Sequence, residues 1–295
     1  MAESPMQGVF PILVTPFDDN SLIDEESLRK LIDFNIDSGV HGLGVALGSE
    51  VFKLSEAERV KVTRIVVDQV DKRVPVVINT GAAGTDLAVE YSVTAEENGA
   101  DALMVMPPSF GPVPVAAVLE YFKSVSDAVG IPIFIQDTDA SPVPAALARS
   151  IAEESENVRY IKVESLPTPA KVAAASAEAG DALTIFGGAG GSYFIEEMRR
   201  GSQGTMPFCT QSEEFVQVWD LFQSGDEEKA RSVFESRILP LNRISVQSPG
   251  AHYHVHKEVL RQRGIIGTAV VRGPAAPLDD LTRQELQKII DELYS

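Results

Sequence analysis

The sequence predicts an α/β protein, a (β/α)8 TIM barrel with a C-terminal helical appendage. Three observations predict it. Eight short apolar runs alternate with amphipathic stretches almost from end to end. Each run is apolar at successive positions rather than alternate ones, which is how a strand buried on both faces reads. The 295-residue length, at 44% hydrophobic and 23% charged residues, suits a single barrel of about 250 residues with something added.

The runs lie at 9–15, 42–47, 74–80, 102–106, 131–136, 158–163, 182–186 and 204–208. Helical patterns separate them. The stretch 24–38 places Leu28, Leu31, Ile32 and Ile36 on one stripe. The next, 55–70, opens with Ser55-Glu56-Ala57-Glu58, a capping box. Stretches 86–98 and 115–129 stop at Gly99 and Gly130, as helix ends do. Stretches 144–154, 169–179, 192–200 and 213–223 complete the series. An open doubly wound sheet is the rival architecture. Eight units in unbroken alternation outrun it, and Gly42-Leu43-Gly44 lacks the third glycine of a dinucleotide fingerprint. Beyond the eighth unit, 226–246, 251–263 and 281–293 read as helices with no strand between them. The expected division is a catalytic barrel over 1–224 and a helical extension over 225–295.

Charge and cysteine usage narrow the partners. With 25 basic and 43 acidic residues the formal charge is −18, which leaves no electrostatic footprint for nucleic acid or an anionic membrane surface. A single cysteine, Cys209, excludes an intramolecular disulfide and a thiolate-rich metal site. The opening MAESPMQGVF has no cationic region followed by an apolar one, and no apolar run approaches the ~20 residues of a membrane span. A soluble, cytoplasmic protein is expected.

A barrel carries its active site at the C-terminal ends of its strands. Among those ends Lys162 stands apart, as the one lysine of ten inside a predicted strand. A lysine is rarely buried without reason, and a desolvated amine becomes nucleophilic enough to form a Schiff base with a carbonyl. A structural ion pair with Glu164 or Asp137 is the competing explanation. The glycines at 187–191, Gly187 and Gly188 first among them, follow the seventh strand and offer backbone amides to an anion, or simply make a tight turn. Gly48 and Ser49 after the second strand have the same two readings, and Thr80 ends the third strand. His252, His254 and His256 form an HxHxH run. No carboxylate stands at a recognisable spacing to complete a metal site, so no metal is expected and a capping or interface role is preferred.

These pieces together resemble the N-acetylneuraminate lyase and dihydrodipicolinate synthase superfamily. Carrying the resemblance are Leu13-Val14-Thr15-Pro16-Phe17, the turn Gly48-Ser49-Glu50 leading into Leu54-Ser55-Glu56-Ala57-Glu58-Arg59, Ile161-Lys162-Val163-Glu164, Arg200-Gly201-Ser202-Gln203-Gly204, and Lys257 before Gly264. The resemblance implies that Lys162 forms a Schiff base with a 2-oxo acid, that no cofactor beyond this adduct is needed, and that the protein is a homotetramer, a dimer of dimers. The departures are specific. The family's second-strand turn, Gly-[Ser/Thr]-Thr-Gly-Glu, is Ala46-Leu47-Gly48-Ser49-Glu50 here, so that amides and Ser49 must hold the substrate carboxylate. The fifth strand ends in Gln136-Asp137 where the family has Tyr-Asn, and a glutamine cannot relay a proton. Pro108-Ser109 replaces the synthase's aromatic pair, and Ser141 its second-substrate arginine. Lysine-pathway synthase activity is therefore not expected. The Gln-Asp strand end and the surroundings of the lysine look closer to a 2-keto-3-deoxy sugar acid dehydratase such as 2-keto-3-deoxy-L-arabonate dehydratase.

The expected function is a class I lyase that dehydrates a 2-keto-3-deoxy sugar acid, with Lys162 as nucleophile and Gln136 orienting groups beside it. Retro-aldol cleavage to pyruvate and an aldehyde is the first alternative. A non-catalytic 2-oxo acid binding or regulatory barrel is the second.

Overall fold

The computed structural model describes residues 5–294. Eight parallel strands form one sheet, β1 (Gly8–Val9), β2 (Leu43–Val45), β3 (Val76–Asn79), β4 (Ala102–Val105), β5 (Ile133–Asp137), β6 (Val158–Val163), β7 (Thr184–Gly187) and β8 (Gly204–Thr205). Its order is β1-β8-β7-β6-β5-β4-β3-β2. The two ends meet, because the amide of His41 donates to the carbonyl of Val9 at 2.9 Å. The closed parallel sheet is the barrel the sequence predicts. Its first and last strands are shorter than the apolar runs suggested: Pro11 and Pro207 have no N–H to give to a ladder, so the strands end before them and only an isolated parallel bridge, Ile12 to Phe208, follows.

The chain forms two compact units. The first comprises residues up to Phe10, His41–Gly44 and Val74–Pro207, and holds the strands, apart from Val45 at the end of β2, with α3 (Thr85–Glu97), α4 (Val115–Ala128), α5 (Ala145–Glu154), α6 (Thr168–Ala179) and α7 (Phe194–Met198). Inside its barrel an aromatic layer fills the floor. Phe134 stacks on Tyr160 with centroids 4.3 Å apart, and Phe186 meets Phe134 and Phe10 edge-on, each at 5.4 Å. Strand side chains alternate between faces, so the inward residues two positions further along β5 and β6 are Gln136 and Lys162. They lie directly opposite each other in the register.

The second unit comprises Pro11–Val40, Val45–Arg73 and the chain from Phe208 onward. It holds α1 (Glu25–Asp37), α2 (Glu56–Val70), α8 (Ser212–Gln223), α9 (Glu227–Val233), α10 (Leu239–Ser245), α11 (Ala251–Gln262) and α12 (Asp280–Tyr294). Ser55 caps α2 through the reciprocal bonds with Glu58 that the sequence signature implies. The single helix expected over 226–246 is interrupted by one wider turn at Phe234–Ile238, just ahead of Pro240, whose missing N–H disturbs the i→i−4 ladder. Leu241, Val255, Val259, Leu286 and Ile290 join α10, α11 and α12 in one apolar cluster. Among the described residues no helix is long and apolar enough to cross a membrane.

Candidate active site

Lys162 is 3% exposed, and its ammonium pairs with Glu164 at 2.9 Å. The other oxygen of Glu164 accepts a hydrogen bond from the Gln136 amide nitrogen at 2.7 Å. The Gln136 amide oxygen accepts in turn from the Asn79 amide at 3.1 Å. A row of four polar side chains thus crosses the barrel interior from β3 through β5 to the end of β6. Three of them are buried, whereas the Glu164 side chain keeps one-fifth of its surface accessible. Buried polar groups in such a row need every partner they have, and each atom named here has one.

Gly188 closes in on the same row. A methyl group there would come 2.2 Å from Glu164 Cγ and 3.0 Å from Lys162 Cε, so the position must lack a side chain for the pair to stand where it does. Gly187 answers a different neighbour, since a Cβ would meet a Glu197 carboxylate oxygen at 1.8 Å. Glu197 is fully buried on α7 and accepts a bond from the Thr168 hydroxyl. Burial pushes its carboxyl up to about 7.

Of the residues singled out from the sequence, the structure brings Lys162, Gln136 and Gly188 together, with Gly187 adjoining. Thr80 is placed otherwise. Its hydroxyl accepts from Ser92 of α3 at 2.9 Å, while Asn79, one residue earlier, reaches Gln136. Gly48 and Ser49 belong to the second unit. There the Ser49 hydroxyl accepts from the Ala46 amide at 3.1 Å and donates to the Leu13 carbonyl, and the Ser49 carbonyl accepts from Thr15 at 2.6 Å. The hydroxyl is thereby engaged in shaping its own turn. Sequence reasoning missed Asn79, and took Glu164 only as the partner in a structural ion pair. A polar residue within the apolar run 74–80 was the available signal for the first.

The second unit contains another buried acid–base group. Glu50, fully buried with φ 58°, pairs with Lys257 at 2.5 Å and with Lys53 at 2.9 Å. Lys257 also donates to the Val270 carbonyl at 2.8 Å and lies 4.3 Å from the Phe17 ring centre. Its ammonium is pulled down to about 8 by burial, against the attraction of Glu50. In the HxHxH run, His256 is buried with Thr210 at 2.8 Å from one ring nitrogen and Ser245 at 3.3 Å from the other, and it stacks on Phe208. Burial holds it down to about 3, so it is a neutral packing residue. Among the described residues no three His, Cys, Asp or Glu side chains are grouped to hold a metal ion.

The profile of the dihydrodipicolinate synthetase family matches residues 5–293. An L-2-keto-3-deoxyarabonate dehydratase of Azospirillum brasilense is 30% identical over 294 residues, covering 97% of this chain and 94% of its own length. A 4-hydroxy-tetrahydrodipicolinate synthase of Pelobacter propionicus is 27% identical over 293 residues, covering 95% and 96%. Among solved structures, dihydrodipicolinate synthase from Rhodopseudomonas palustris has a TM-score of 0.89 at 27% identity over 97% of each chain. YagE, a prophage protein of the dihydrodipicolinic acid synthase family from E. coli K12 solved in complex with pyruvate, has a TM-score of 0.89 at 26% identity, covering 97% of this chain and 98% of that one.

Proposed function

The chain belongs to the dihydrodipicolinate synthetase family of lyases, and from that premise we propose that it is a class I lyase that dehydrates a 2-keto-3-deoxy sugar acid through a Schiff base on Lys162. The observation that carries the reading is the row Asn79–Gln136–Glu164–Lys162 inside the barrel. It sets an accessible carboxylate beside a buried amine, and it supports an assignment of roles. Glu164 takes a proton from the Lys162 ammonium. The freed amine attacks C2 of the 2-oxo acid, and Glu164 gives its proton to the carbinolamine hydroxyl, which leaves as water; the resulting iminium acidifies C3, and Glu164 is again a carboxylate. Glu164 removes a C3 proton to leave an enamine, then returns it to the C4 hydroxyl as that group departs as water. Hydrolysis of the conjugated iminium restores Lys162 and releases the unsaturated 2-oxo acid, so the net change is the loss of one water.

Retro-aldol cleavage asks instead for a base at the C4 hydroxyl, and Gln136 can only orient. Gln136 holds Glu164 on one side and Asn79 on the other, which favours a carboxylate that shuttles a single proton between C3 and the leaving oxygen. The adduct itself is the electron sink, so the reaction as written uses no further cofactor. A cytoplasmic homotetramer, a dimer of dimers, belongs to the same reading, with sedimentation velocity as its test. The chemistry is tested by intact mass and peptide mapping after incubation with pyruvate and borohydride, followed by product analysis on 3-deoxy-2-oxo sugar acids. An adduct on Lys162 and an unsaturated or rearranged product of unchanged carbon number are expected. Pyruvate plus an aldehyde would replace dehydration by cleavage, and absence of any adduct would overturn the class I assignment.

A further inference from the structure

Beside the inner row runs a second set of contacts that the proposed chemistry does not use. Asp137 follows Gln136 in sequence and Ser165 follows Glu164, and both are 1% exposed. One Asp137 carboxylate oxygen accepts the Val143 amide at 2.7 Å, and the other accepts both the Ser165 amide at 3.3 Å and the Ser165 hydroxyl. The Ser165 hydroxyl accepts in turn from the ammonium of Lys171 on α6. Three successive amides after β6 are tied to the end of β5 and the residues that follow it. Glu164 donates to the Asp137 carbonyl at 2.9 Å, Ser165 to the Asp137 carboxylate, and Leu166 to the Asp139 carboxylate at 3.0 Å.

The arrangement matters because β6 ends at Val163, so Glu164 stands one residue beyond the ladder. A carboxylate on a loop reaches a defined position only if its supporting contacts lock it. A hydroxyl bridging a carboxylate and an ammonium is charge-assisted at both ends, and each bond polarises the other. We infer that Asp137, Ser165 and Lys171 form a positioning clamp that holds Glu164 within reach of C3 of an imine on Lys162, an inference that rests on the lyase reading above. The clamp touches neither the amine nor the substrate. Glu164 takes up and gives back the same proton during imine formation, so its displacement leaves the imine equilibrium unchanged and slows the net proton removal at C3.

The two steps separate experimentally. Borohydride trapping of pyruvate reads the imine, and exchange of the pyruvate methyl protons in D2O, followed by NMR, reads proton removal at C3. Ser165→Ala is expected to keep the wild-type half-saturation for trapping and to exchange roughly 10- to 100-fold more slowly, the scale of an ångström-sized misplacement. Lys171→Met is expected to slow exchange less, with Lys171→Arg restoring it. Exchange at the wild-type rate in Ser165→Ala overturns the clamp, as does an equal fall in trapping and exchange, which would mean that the contacts hold the whole strand end. Should Ser165→Ala fail to fold, Lys171→Met decides by the same criterion, because its side chain is partly exposed. A wild-type protein that neither traps nor exchanges removes the lyase reading itself, and the clamp with it.

Discussion

Lys162 at the end of β6 and Lys257 on α11 each lie buried against a glutamate, and their surroundings differ. Around Lys257 every position is filled. Glu50 is completely enclosed and receives two ammonium groups, Lys257 adds a bond to a carbonyl, and the Phe17 ring lies between Lys257 and Arg272, 4.3 Å from each. Around Lys162 the glutamate has one amide partner and keeps part of its surface accessible. A saturated pair can only hold a structure in place, whereas a carboxylate with an accessible side can exchange a proton. Burial of a lysine does not identify a nucleophile; the state of its partner separates the two.

The comparison breaks first at Glu164. Glu164→Gln keeps the shape of the row and removes the proposed proton carrier. It is expected to lower C3 exchange and dehydration by about 10²- to 10⁴-fold, the usual worth of a general acid–base group, while an adduct with pyruvate still accumulates under borohydride. Turnover within a factor of two of wild type in that variant would place the base elsewhere. At the other lysine the expected loss is of stability. Lys257→Met leaves one buried Glu50 oxygen without its ammonium and Lys53 alone on the other, and is expected to cost about 3 kcal/mol in urea unfolding, the lower end for a broken buried pair, whereas Glu50→Gln combined with Lys257→Met recovers much of it. A variant as stable as wild type would show that the pair contributes nothing.

The smallest effect concerns the buried carboxyl behind Gly187. Glu197 keeps its proton to about pH 7 in the folded protein, where the ordinary carboxyl value is 4.5. The folded state therefore binds more protons than the unfolded chain between these values, so its contribution to stability declines as pH rises through that window and stays lowered above it. Glu197→Gln is expected to remove the decline and to stabilise the protein at pH 8 by on the order of 2 kcal/mol, measured by urea unfolding at pH 5 and pH 8. An equal difference at both values would mean that Glu197 does not titrate on unfolding.

Much of this was legible from runs and spacings. Buried parallel strands show as continuous apolar runs, and a lysine inside one of them is conspicuous. What escaped followed from parity. The third strand was read to Thr80 from the apolar run, which made Thr80 the residue at its end, yet the ladder element ends at Asn79. Moving by one residue turns a side chain to the opposite face, so Thr80 meets α3 and Asn79 meets Gln136. Glu164 escaped for another reason. It lies past the strand, and only the three-dimensional placement of Gln136 and Gly188 shows which way it turns. Ser49 was legible as a residue but not as a contact, because its hydroxyl is engaged by the Ala46 amide and the Leu13 carbonyl.

The amide of Gln136 is not symmetrical. Its nitrogen faces Glu164 and its oxygen faces Asn79. A donor N–H on one carboxylate oxygen keeps that oxygen an acceptor, so in the proposed reaction a proton would enter and leave Glu164 through the oxygen beside Lys162. A base with a single port meets only one face of an enamine. Under the proposed mechanism the barrel would thereby impose handedness on a carbon that carries none in pyruvate. For a 3-deoxy-2-oxo sugar acid, whose C3 bears two distinguishable hydrogens, deuterium should enter at one of the two, and proton NMR of substrate recovered from D2O should show a single C3 resonance lost.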